Sequence, residues 1–391
     1  MTQSTPRIAR RMAGIAQFHV MALLARAREL EAQGRSIVHM EIGEPDFPTP
    51  QPVVDAGMRA IEHGDVHYMP ALGLPELRAA IARYYATRYG LDLDPARVVV
   101  TSGSSGALLL ALAVVVDAGE RVLLADPGYP ANRNFVRLLG AEPAGIPVEA
   151  ATRYQLSADA IARNWDARTA GALLASPSNP TGMLVSFEAM GGIAECVRER
   201  GGALIVDEIY HGLTYGAAVR SALELGDDIF VVNSFSKYFN MTGWRLGWLI
   251  APPGCVGELD KLSQNVYLSA PTPSQRAALA AFEPATLAIL ERRRTEFRAR
   301  RDFLVPALRA IGFGIEAPPE GAFYVYADSS RLAADSYQLS MRLLEEAGVA
   351  ITPGIDFGEH RAGAHVRFAY TTSLANLQEG VSRIRRFVGA G

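Results

Sequence analysis

The chain has 391 residues, 49% of them hydrophobic and 20% charged, which is enough for a sizeable core and for more than one domain. A net charge of -3 and a pI near 6.2 leave no basic surplus for gripping nucleic acid or an anionic membrane, so the expected partners are small molecules. Two cysteines, Cys196 and Cys255, offer neither a disulfide framework nor metal-ligand spacing, and fit a reducing cytoplasm.

At the N-terminus RIARRM is basic, but the following VMALLA is broken by Arg26 and Arg28 before a signal-peptide core develops, so a cytoplasmic protein is expected. ALLLALAVVV, from Ala107 to Val116, falls short of the roughly 18 apolar residues that span a bilayer and reads as a buried helix. From about residue 90 to 250, β-branched runs alternate with helical patterns: RVVVTSG, RVLLADPGYP, GALLASPSNPTG, GGALIVDEIY and IFVVNSFSK each end in polar residues. That alternation predicts an α/β fold whose large domain holds a mostly parallel sheet flanked by helices. After Pro273 long charged amphipathic stretches, the strand-like AFYVYAD and HVRFAY predict a smaller α+β domain. The arginines at 292 to 294 are interrupted by Glu291, Glu296 and Asp302 and read as a solvated helix face.

Ligands of open α/β sheets bind beyond the carboxyl ends of the strands, so those ends carry the functional reading. TSGSSG puts Ser104 and Ser105 at a glycine-rich helix start, an anion site that caps alone could also explain. Tyr129 in DPGYP and Asn179 in SPSNPTG are ordinary turn residues singly. Asp207 ends an apolar strand, where a carboxylate needs a cation or several donors; Tyr210 follows three residues on. The last run leads to Ser234, Ser236, Lys237 and then Arg245. One sheet edge thus gathers anion donors, an aromatic face, an amide, a carboxylate and a lysine. The set suits a ring bearing a phosphate, an aldehyde and a basic nitrogen, which is pyridoxal 5'-phosphate.

With these residues in order, the chain resembles the class I/II, fold type I, aspartate aminotransferase-like family. The resemblance rests on IGEPDF (42–47), YMPALGLPELRAAIA (68–82), TSGSSGALLLAL (101–112), DPGYP (126–130), SPSNPTG (176–182), VDEIY (206–210), SFSKYFNMTGWRLGW (234–248), EGAFYVY (320–326) and HVRFAY (365–370). It implies an N-terminal arm and part of the small domain in 1–48, a large cofactor domain in 49–280 and a small domain in 281–391. It implies Lys237 as the Schiff-base lysine and Asp207 as the partner of the pyridine nitrogen. Asn179 and Tyr210 would face the ring's 3' oxygen and Tyr129 its face. Ser104, Ser105, Ser234, Ser236 and Arg245 would hold the phosphate. Arg367 would grip the substrate's α-carboxylate, helped by Asn179 and the Gly43 backbone. Tyr68 would reach the cofactor of a second subunit, giving a homodimer with shared sites. The reaction implied is a ping-pong transfer from an L-amino acid to a 2-oxo acid.

Ser105 stands where dicarboxylate-specific relatives carry a lysine, which leaves Arg133, Arg137 or a partner residue as substitutes. Ile15, Phe18 and His19 are expected to line the side-chain pocket, and a neutral or hydrophobic donor follows. A carbon-sulfur β-lyase of the same fold needs the same lysine and arginines. A non-catalytic regulator needs an added DNA-binding module, and IGEPDF already begins at Ile42.

Overall fold

The computed structural model describes residues 6–216 and 218–389. In chain order the main elements are α1 (His19–Ala32), β1 (Val38–His39), α2 (Gln51–Glu62), α3 (Pro75–Tyr89), β2 (Val98–Thr101), α4 (Gly103–Val115), β3 (Arg121–Asp126), α5 (Pro130–Leu138) and β4 (Glu142–Pro147). They continue with α6 (Ala158–Asn164), β5 (Thr169–Ala175), α7 (Phe187–Glu199), β6 (Ala203–Asp207), β7 (Ile229–Ser234), β8 (Gly247–Ile250), α8 (Val256–Val266), α9 (Thr272–Leu279) and α10 (Pro284–Ile311). The last are β9 (Tyr324–Asp328), α11 (Ser336–Arg342), β10 (Val349–Ala350), β11 (Thr352–Pro353), β12 (His365–Ala369) and α12 (Leu374–Gly389).

Among the described residues a seven-stranded sheet runs in the order β2-β8-β7-β6-β5-β3-β4. Every neighbouring pair is parallel except those made by β8, which runs against both β2 and β7. The fold is therefore α/β with a mostly parallel sheet flanked by helices. Alternation along each strand fills two cores: Val98, Val100, Leu204, Val206 and Val231 face one, and Val99, Ile205, Phe230 and Val232 the other. The apolar run of α4 after Gly106 is buried on the second face, as its sequence predicts. Among the described residues no helix is long and apolar enough to cross a membrane.

A second, antiparallel sheet has the order β11-β12-β9 and sets Arg367 opposite Thr352 on one side and Tyr326 on the other. β1 pairs in parallel with β10. The Met40 N–H donates to Ala350 O at 3.0 Å, and Met40 O accepts from the Ala369 N–H at 2.7 Å, so residues 38–41 are stitched to both small sheets. That stitching brings the Gly43 loop to the carboxyl edge of the large sheet.

Candidate active site

Because β2, β3, β5, β6 and β7 share one direction, their carboxyl ends share one edge, and the polar residues that follow each strand meet there. Lys237 follows β7 and a tight turn. In that turn the Ser234 hydroxyl, 1% exposed, donates to Leu246 O at 3.3 Å and accepts the Ser236 N–H at 3.0 Å. Ser234, expected to face a phosphate, has its hydroxyl in the turn that presents the lysine. Lys237 Nζ donates to Gly43 O at 2.7 Å and lies 5.7 Å from the Phe323 ring centre. Burial first, then the neighbouring Arg367, disfavours its ammonium form and brings its pKa down to about 8.

Asp207 ends β6 in the middle of the sheet and is buried. Its Oδ1 accepts the Ile209 N–H at 3.0 Å. Burial outweighs that bond and the more distant Lys237 charge, and raises the carboxyl from 3.8 to about 7. A carboxylate in that state calls for a cation close by. The folded-state pKa lies above the unfolded value, so the folded protein holds the extra proton between about pH 4 and 7. Without cofactor, stability falls as pH rises through that window, and the penalty persists above it. Cofactor-free Asp207→Asn is therefore expected to melt above cofactor-free wild type at pH 8, with a ceiling of about 4 kcal/mol, and level with it at pH 4. Thermal unfolding at the two pH values checks this, and an equal difference at both would contradict it.

Arg367 lies on β12, 5% exposed. Its Nη1 donates to Asn179 Oδ1 at 3.0 Å and its Nη2 to Glu41 O at 2.5 Å. The guanidinium carbon sits 4.3 Å from the Tyr324 ring centre and 4.8 Å from that of Phe357. Nε is buried with no partner among the described residues, a donor waiting for an acceptor. Tyr210 and Tyr324 share a hydroxyl hydrogen bond of 2.9 Å. Gly43 is fixed by the same tyrosine, since a Cβ there would collide with the Tyr324 hydroxyl. Tyr129, directly before α5, is close enough to Tyr324, Asp207, Arg367 and Arg245 for their charges to bear on its buried phenol, whose pKa burial raises.

Ser104 and Ser105 occupy the first turn of α4, where the amide N–H groups have no intrahelical partners. Gly103 adopts φ +73°, and a Cβ there would sit 2.7 Å from Arg245 Nη2, so the guanidinium lies against the helix start. The two features make a compact anion cradle. The donor set fits pyridoxal 5'-phosphate: a cradle for its phosphate, a cation-seeking Asp207 for its ring nitrogen, and Lys237 for its aldehyde.

Two expected residues, Tyr68 and Phe18, make none of these contacts in the single chain. Tyr68 is 83% exposed. Phe18, directly before α1, borders a cavity of about 160 Å³ together with His19, Pro130, Arg133, Arg137 and Asp356. Ile15 is not among the residues lining that cavity. Tyr324, Thr352, Phe357 and Glu41 are contributors that sequence reasoning did not single out. Tyr324 opens the strand YVYAD, which also holds Tyr326 and Asp328, so residue type alone did not single it out.

Residues 35–384 match the family model described as aminotransferase class I and II. The chain is 41% identical over 382 residues to a valine–pyruvate aminotransferase of Mycobacterium tuberculosis, covering 97% of this chain and 98% of that one. A crystal structure of an aminotransferase from Mycobacterium tuberculosis superposes with a TM-score of 0.96 at 40% identity, covering 99% and 100% of the two chains. Aspartate aminotransferase from Thermus thermophilus with maleate gives 0.92 at 34% identity, with 98% and 100% covered. The chain belongs to the class I and II aminotransferases, enzymes that use pyridoxal 5'-phosphate.

Proposed function

We propose that this aminotransferase moves the amino group of a neutral or hydrophobic L-amino acid to a small 2-oxo acid, with Lys237 moving the proton and Arg367 holding the α-carboxylate. One observation carries the reading: at one edge of the large sheet a buried carboxylate in want of a cation and a lysine whose charge is disfavoured are joined, from the small sheet, by a buried arginine whose Nε has no partner among the described residues. Pyridoxal 5'-phosphate, when bound, supplies an aldehyde for the amino group and a cationic ring that withdraws electrons from Cα. Ser104, Ser105, Ser234, Ser236 and Arg245 would hold its phosphate, Asp207 its ring nitrogen, Asn179 and Tyr210 its 3' oxygen, and Tyr129 a ring face.

Nζ of Lys237, with a pKa of about 8, is partly unprotonated near neutral pH and can take the proton from the donor's Cα. In the return half-reaction the same nitrogen gives a proton back to Cα of the acceptor. Arg367 fixes the carboxylate, so that the Cα–H bond faces Lys237. The neutral donor is supported by Arg133, whose Nη1 and Nη2 are already engaged by the Phe357 and Asp356 carbonyls, each at 3.2 Å, and by the relative named for valine and pyruvate. Adding single amino acids to the cofactor-loaded enzyme without an acceptor should shift its absorbance once and then stop, most readily for neutral donors. Continuous release of pyruvate and ammonia would instead favour a lyase, and preference for aspartate would overturn the donor class.

The working unit we propose is a homodimer in the cytoplasm. Tyr68, Ile61, Val66, Val266 and Leu268 are all exposed, and the chain next to Tyr68 is tied to the chain that follows Leu268 by the Thr272 hydroxyl donating to His67 O at 2.6 Å. Exposed apolar side chains in these segments suit burial against a second copy of the chain. Ile61→Glu combined with Val66→Glu is expected to give monomers with at least tenfold weaker cofactor binding, while Tyr68→Phe stays dimeric. Sedimentation and fluorescence titration check both, and a monomeric, fully active wild type would end the proposal.

A further inference from the structure

The Glu41 side chain is fully buried, belongs to the residue whose carbonyl holds Arg367, and plays no part in the chemistry above. Its carbonyl accepts from Arg367 Nη2 at 2.5 Å and from the Thr352 hydroxyl at 3.0 Å. Its carboxyl, 0% exposed, meets His39 Nδ1 through Oε1 at 2.7 Å, and Oε2 has no partner among the described residues. On its other side His39 Nε2 meets Glu31 Oε1 of α1 at 3.1 Å. The backbone between His39 and Glu41 is pinned through Met40 to both small sheets, which fixes the Cα positions from which the two side chains meet.

A buried carboxylate is tolerated when its counter-charge is in place and is costly when that partner is lost. Here the carboxylate hangs from the residue whose carbonyl holds Arg367. Left uncompensated, its field would oppose any second carboxylate arriving at that arginine. We propose that protonated His39 is the built-in counter-ion for Glu41 and thereby sets the affinity of the Arg367 site for the substrate's α-carboxylate. This rests on reading Arg367 as the carboxylate-binding residue.

The charged groups facing His39 are Glu41 on its own segment and Glu31 on α1. The paired strand β10 presents Val349 and Ala350, and on α12 Arg383 closes on Glu379 at 2.8 Å and on Ser36 O at 2.6 Å. Glu41 and Glu31 together hold the imidazolium well above its ordinary range, to about 9. The proton is therefore present at neutral pH and is lost as pH rises through 9.

The test uses the cofactor-loaded enzyme and isovalerate, a carboxylate without an amino group, with dissociation constants read by calorimetry. His39→Gln is expected to weaken isovalerate binding and raise KM for the amino donor by roughly three- to thirtyfold at pH 7, with kcat little changed. Adding Glu41→Gln should restore both, because the opposing charge goes with it. A role in structure alone predicts that the double variant is no better than the single. Should His39→Gln fail to fold, wild type against Glu41→Gln decides: wild-type binding weakens between pH 8 and 10, and that of Glu41→Gln falls less. Equal slopes, or a double variant that is not rescued, would overturn the inference. If Arg367→Leu binds isovalerate as wild type does, the reading of Arg367 fails instead.

Discussion

Lys237→Ala is expected to lose at least about 10⁴-fold in turnover while keeping its fold, since it removes the group that moves the proton and the primary amine that meets the cofactor aldehyde. The fold should survive because Nζ makes one hydrogen bond, to Gly43 O, and because its burial disfavours the charge it carries. Removing a desolvated ammonium costs little once its methylene stem has been replaced by solvent in an open site. Lys237→Arg separates charge from chemistry: it keeps a cation in place, but a guanidinium does not deprotonate near neutral pH. Both variants should therefore be inactive, with circular dichroism and melting temperature near those of wild type. An active Lys237→Arg would mean that position 237 contributes only positive charge, and the proton would need another carrier. The absorbance of each variant with added pyridoxal 5'-phosphate and one amino acid gives the answer without an acceptor.

The large-sheet half of this site was legible because its geometry is local in the chain. Each of the apolar runs before Asp126, Ser176, Asp207 and Ser234 is long enough to be a buried strand and stops at a polar residue, so the strand end and the start of the loop that carries the site are read together. The antiparallel course of β8 was not legible. GWLI is buried on both faces, and a fully buried strand shows no period that would reveal its direction. The surroundings of Arg367 were hidden for a different reason. Asn179, Glu41 and Thr352 come to it from 188, 326 and 15 residues away, and only the closing of the small sheets sets which of them meet. Ser234 illustrates competition: a serine two residues before a backbone N–H can serve a ligand or its own turn, and sequence alone did not show that its hydroxyl accepts the Ser236 N–H.

Arg367→Lys should cost roughly 30- to 3,000-fold in kcat/KM for amino acids, the range for removing one member of a buried, hydrogen-bonded charge pair. Lysine keeps the charge but not the planar fork. It cannot hold Asn179 and the Glu41 carbonyl with separate nitrogens while still turning a donor toward the substrate. It also gives up the stacking between Tyr324 and Phe357, which fixes the plane in which a carboxylate would be met. If Arg367 acts on the carboxylate, the loss should be confined to substrates that have one. A primary amine such as benzylamine, poor as it is with wild type, should react equally well with the variant, and the dissociation constant of pyridoxal 5'-phosphate should move less than threefold. Equal losses for the amine and the amino acid would instead mean that Arg367 serves mainly to brace Asn179 and the Gly43 loop. That result would return the carboxylate to another cation on the same edge, and Arg245 is the one the geometry offers.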